Sequence, residues 1–200
     1  MESWVSTRAT LATVGLSHTA RSMPTDTPLH KASHNGDLRA VQAIIDEASH
    51  LEEKVNAPGA SERRPLHRAV GGDHAQVVKV LLEAGANVDA PDKSGRTALH
   101  WSSQAGSIES AEILLKAGAD PLSKTTSQLT PLHFCSENGK AAIVSHLAVA
   151  AGDKKMNLFQ AESNEGKTAA ALAKENKHKD VVKALKEAGD PAASGGCVIL

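Results

Sequence analysis

At 200 residues the chain is long enough for one ordinary domain or for a short solenoid with flexible ends. Its 22 Lys plus Arg against 23 Asp plus Glu leave no global field to steer it onto nucleic acid or an anionic membrane. Aromatics make up 2% with no Tyr, which all but excludes stacking platforms for bases or sugars.

In chain order, residues 1–24 are rich in Ser and Thr, with Arg8 and Arg21 and a single acid, Glu2. They read as a disordered tail, with a mitochondrial transit segment as the competing reading. A period then begins. Thr27-Pro28-Leu29-His30 recurs as Arg64-Pro65-Leu66-His67, Thr97-Ala98-Leu99-His100 and Thr130-Pro131-Leu132-His133. Leu66, Leu99 and Leu132 are spaced by 33 residues, whereas Leu29 precedes Leu66 by 37, so one loop carries extra residues. A fifth, weaker copy opens at Thr168-Ala169-Ala170-Ala171.

Each copy follows the same grammar. Thr caps a short helix, its hydroxyl accepting an orphan amide hydrogen, and Pro or Ala fills the first turn. Gly36, Gly106 and Gly139 stand where that helix must reverse, a place that favours left-handed backbone. A second helix follows, as in Val77, Val78, Val80, Leu81 and Leu82, and Gly85 or Gly118 stops it. A loop with turn chemistry, Asp92-Lys93-Ser94-Gly95, closes the unit. The second copy carries Asp73 and the fifth Lys177 where the mid-repeat Gly is expected. The fifth copy's second helix, near Asp180–Lys186, is polar, as a terminal cap with one neighbour should be. The polar stretch Asp153–Lys167, containing Met156 and Phe159, exceeds the period and reads either as an insertion on the binding side or as a tolerated surface loop.

These residues resemble the ankyrin family, with its 33-residue repeat, T-P-L-H opening, mid-repeat Gly and closing G-A. The resemblance implies an all-α solenoid of about five helix-turn-helix repeats with protruding loop or β-hairpin fingers. It spans 25–190, with repeats near 27–59, 64–96, 97–129, 130–163 and 168–190. It also implies a partner seated on a concave face built from the first helices and the loop tips. On the positions that match, that face carries Arg68, Trp101, Phe134, Gln104 and Glu137, with Lys93 and Arg96 at the tips. Trp101 and Phe134 occupy one register position in adjacent copies. Two readings stay open for them: an exposed hot-spot pair, or filler packed between repeats.

The periodic His30, His67, His100 and His133 invite a metal reading, but a ladder at repeat spacing cannot converge on one ion. Each imidazole is expected instead to hydrogen-bond backbone near a helix start. Cys135 sits where other copies have Ala or Ser, which suits a small buried residue. No nucleophile constellation and no phosphate-cradling Gly-rich motif is present, so no catalysis, cofactor or metal is expected. Two Cys cannot make a disulfide framework, and a reducing, cytoplasmic setting fits them.

Residues 191–200 read as a flexible tail ending in Cys197-Val198-Ile199-Leu200, which fits a C-a-a-X prenylation signal on Cys197. The expected function is that of a monomeric, non-catalytic adaptor that binds a protein partner and no nucleic acid, with peripheral membrane recruitment through the lipid. The alternative is a transient assembly chaperone or inhibitor that holds one subunit of a larger complex.

Overall fold

Thr-Pro-Leu-His starts a helix because Pro has no amide hydrogen to orphan and its φ is preset for the first turn. The structure, a computed structural model, describes residues 24–194. In it each copy of the motif opens a short inner helix that reverses into an outer one. The pairs are α1 (Pro28–Asn35) with α2 (Leu38–Asp46), α4 (Pro65–Gly71) with α5 (Ala75–Glu83), α6 (Ala98–Ala105) with α7 (Ile108–Lys116), α8 (Pro131–Glu137) with α9 (Ala141–Ala151), and α11 (Ala169–Glu175) with α12 (Lys179–Glu187). The inner helices stack on one another in the order α1, α4, α6, α8, α11, and the outer helices form a second layer behind them. The seam is one continuous core of Leu29, Leu66, Leu99 and Leu132 from the inner row and Val41, Val78, Leu81, Leu114 and Leu147 from the outer.

Both departures from the 33-residue period are helical. The longer first spacing holds α3 (Leu51–Val55), which buries Val55 completely. The stretch expected to be a polar loop contains α10 (Lys155–Gln160), which packs on α9 and buries Leu158 and Phe159. Its first part is therefore packed helix, and its last residues, 163–167, form the finger that follows. Phe159, at 1% exposure, and Leu158 beside it are core, and polar neighbours hid them from a reading by period.

The fingers are loops, with no strand among the described residues beyond one isolated bridge between Glu162 and Thr168. Each is closed by one backbone hydrogen bond: Gly59 to the Arg63 carbonyl (2.8 Å), Asp92 to Arg96 (2.8 Å), Thr125 to Leu129 (3.0 Å) and Ser163 to Lys167 (3.0 Å). Adjacent fingers are stitched in turn, Lys93 N–H to Ser61 (3.0 Å), Thr126 to Ser94 (3.1 Å) and Asn164 to Ser127 (3.0 Å). One bond per junction is too few for a ladder, so the β-hairpin form of the expectation gives way to loops.

The mid-repeat turn is left-handed in every unit. Gly36, Gly106 and Gly139 have φ of 71°, 90° and 71°, and Asp73 and Lys177 are forced to 59° and 60°. In both of those units a histidine follows, and its Nε2 bonds the previous unit: His74 to the His34 carbonyl and His178 to the Glu137 carbonyl, each at 2.9 Å. At the C-terminal end α12 buries only Val181 and Leu185 and turns its lysines outward. The chain stays ordered past 190. Ala192 N–H bonds Asp190 at 2.8 Å, Lys174 Nζ bonds the Ala192 carbonyl at 2.6 Å, and Ala193 is buried, so 191–194 belong to the fifth unit and not to a free tail. Among the described residues no helix is long and apolar enough to cross a membrane.

Candidate partner-binding face

The inner helices and fingers are locked together by the histidines. Thr27, Arg64, Thr97 and Thr130 each donate a backbone N–H to Nδ1 of the histidine three residues on, at 3.2, 2.8, 3.1 and 3.1 Å. Accepting at Nδ1 leaves the proton on Nε2. That nitrogen then donates into the next unit's finger: His30 to the Arg63 carbonyl (2.9 Å), His100 to Leu129 (3.1 Å) and His133 to Lys167 (3.1 Å). His67 Nε2 alone in the set finds no partner. Burial pushes His67 and His100 down to about 4, and it lowers His30 and His133 as well. The imidazoles are neutral, and those of His30, His100 and His133 are clamps between units, with both ring nitrogens turned to the backbone.

The threonine hydroxyl follows from this. It also meets the imidazole, Thr27 and Thr130 at 2.8 Å and Thr97 at 3.0 Å, within a capping box that includes the N3 amide. In the fifth unit Ala171 replaces the histidine, and there Thr168 caps as expected, accepting from Ala171 N–H at 3.3 Å. Cys135 is fully buried, donates to the Leu132 carbonyl at 3.2 Å, and has its thiol pushed up to about 12 by burial, so it keeps its proton.

The aromatic pair separates. Phe134 is 9% exposed and meets the His100 ring edge-on, with centroids 5.4 Å apart at 85°. For it the structure selects packing between repeats over an exposed hot spot. Trp101 is half-buried and receives two guanidiniums, Arg63 with Cζ 4.4 Å and Arg96 with Cζ 4.1 Å from the ring centroid. Such contacts stabilise by about 0.5–2 kcal/mol each, depending on desolvation.

Beneath them Asp92 is the hub. Its Oδ1 accepts from the N–H groups of Ser94 (2.8 Å) and Arg96 (3.0 Å), and its Oδ2 from Arg96 Nε (3.0 Å) and Trp101 Nε1 (3.3 Å). Although burial works against the charge, these bonds and the Arg96 charge hold its carboxyl below the usual range. Arg68 pairs with Asp26 at 2.6 Å. Lys93 is exposed at a finger tip, Gln104 is half-buried, and Glu137 is exposed at the end of α8.

Arg63 and Asp92 were not among the residues singled out from the sequence. Arg63 was visible in principle, since it lies 33 residues before Arg96 and so takes the same place on the neighbouring finger. Asp92 was read as turn chemistry, and its second role needed the fold. Farther along the same face a concavity of about 330 Å³ opens between Ser127, Leu129, Glu137, Lys167, Leu172 and Glu175. Cys197 lies outside the described residues, as does nearly all of the candidate transit segment.

Residues 29–125 match the family model for ankyrin repeats (3 copies). Ankyrin repeats generally mediate protein–protein interaction, and no catalytic family is indicated. Beyond the match, α8 with α9 and α11 with α12 continue the same pairing. The chain is thus an all-α solenoid of helix pairs that carries ankyrin repeats.

Proposed function

We propose that the chain is a non-catalytic adaptor that docks a protein partner on its concave ankyrin face, formed by the inner helices and fingers. Trp101 is the centre of that contact, with Arg68, Arg96, Gln104, Lys93 and Glu137 around it. The observation that carries this reading is Trp101 itself. Among the described residues it is the one aromatic side chain left partly open, since Phe134 and Phe159 are buried. Trp and Arg together are the side chains most enriched at binding hot spots. Affinity purification with the full chain and with Trp101→Ala tests it. The expected result is loss of the captured partner with helicity unchanged by circular dichroism; an identical set of captured proteins overturns the assignment.

The adaptor is recruited to membranes through prenylation of Cys197. The support is the residue pattern Cys197-Val198-Ile199-Leu200 behind Gly195-Gly196, together with the rule that one lipid chain gives reversible attachment. Intact mass of the protein from its native cell should carry the added prenyl group, absent in Cys197→Ser. An unmodified C-terminus removes this part of the proposal.

A further inference from the structure

Arg63 ends the first finger with its main chain pinned. Its carbonyl accepts from Gly59 N–H at 2.8 Å and from His30 Nε2 at 2.9 Å, and its N–H donates to the Ala60 carbonyl at 3.3 Å. Its side chain lies over Trp101 in the company of like charges, because Arg96 reaches the same ring. Burial first, and then the charges of Arg68 and Arg96, hold its pKa below the ordinary arginine value. The carboxylates nearby are already engaged. Asp92 is taken by Arg96, Trp101 and two backbone amides, and Asp26 by Arg68 and the Ala60 N–H at 2.9 Å. Among the described residues no carboxylate pairs with Arg63, and its buried Nε has no hydrogen-bond partner. A guanidinium fixed in place, crowded by cations and lacking a counter-ion is a preorganised receptor for a planar anion.

We propose that Arg63, Arg96 and Trp101 anchor an acidic segment of the partner protein, with Arg63 pairing an Asp or Glu carboxylate of that segment. The inference rests on the protein-docking reading above and names the partner's chemistry. A polynucleotide fits the same surface less well. The indole ring already carries two guanidiniums, which leaves it poorly open for a base to stack. The face also runs on into the exposed Glu137, Glu165 and Glu175, which repel a phosphate backbone but leave a short acidic peptide free to end at the anchor.

The test uses the full chain carrying Trp4→Phe, which leaves Trp101 as the single tryptophan. A capped hexaglutamate peptide is titrated while Trp101 emission is followed. The response should saturate, be absent with an uncharged Gly-Ser hexapeptide, and weaken about tenfold in Arg63→Gln. Arg63→Lys, which keeps the charge but not the fork, should fall between the two, and Glu175→Gln should match the parent. With no variant at all, the response should fade in about 0.5 M NaCl. Equal titration of the parent and a folded Arg63→Gln, a response that survives salt, or a stronger response to a ten-residue oligothymidine each overturns the proposal. A captured partner that depends on Trp101 but not on Arg63 overturns it too, while leaving the docking reading intact.

Discussion

The two halves of the finger face share one backbone and differ in how they carry charge. Around Trp101, Asp92 is almost wholly buried, and its four hydrogen bonds fix Arg96 and the indole in place. Around Lys167 the pairs to Glu175 (2.9 Å) and Glu165 (3.2 Å) are similar in length, yet those glutamate side chains are 58% and 75% exposed. Distance alone would rank the halves as equals. Burial separates them, because a solvated pair trades water contacts for a contact of nearly equal worth and loses side-chain freedom in the exchange. The first half is a buried, hydrogen-bonded cluster and the second a wet surface around a shallow hollow.

Acid should distinguish the units most strongly. An imidazole with its pKa near 4 in the fold and about 6.5 when unfolded is protonated first in the unfolded chain, so stability is complete above pH 6.5 and drains between 6.5 and 4. His67 and His100 should each account for up to about 3 kcal/mol of that loss. The fifth unit, with Ala171 and a Thr168 cap, has no such clamp of its own. Hydrogen exchange at pH 7 and pH 4.5 should therefore show protection falling in α1, α4, α6 and α8 before α12. Uniform loss would remove the histidine clamp as the acid-sensitive element.

Next in size is the Asp92 hub. Asp92→Ala leaves Arg96, the indole N–H and two amides unpaired and should cost about 2–4 kcal/mol in urea unfolding. Glu175→Ala should stay within about 0.5 kcal/mol. Comparable costs would erase the contrast between the halves. Smallest is the turn chemistry: Lys177→Gly should stabilise by about 1 kcal/mol, since a long side chain is held at φ 60° there. Asp73→Gly should gain less, because Asp tolerates that region better. Thermal melts of the two variants give the comparison directly.

Repeat length, the helix pairs and the buried histidines were legible in the sequence because each recurs, and recurrence marks a position whose environment is imposed by neighbours of the same kind. Even the exceptions obey it, as Asp73 and Lys177 accept left-handed backbone to keep the turn. What does not recur was harder to read. Phe159 lay in a polar stretch with no second copy to compare, and Trp101 and Phe134 looked equivalent because they share a register position. Their different fates depend on what stands beside each one: His100 packs edge-on against Phe134, while Arg63 and Arg96 cover Trp101.

The sequence by itself determined the architecture, since a 33-residue period of helix starts and stops can bury its apolar stripes only by stacking on its own copies. Only the tertiary structure decided which charges on the shared face are spent and which are free. A counter-ion is a matter of distance and burial, and although Asp92 and Trp101 lie nine residues apart, Arg63 comes from the neighbouring finger and meets them only when the stack forms.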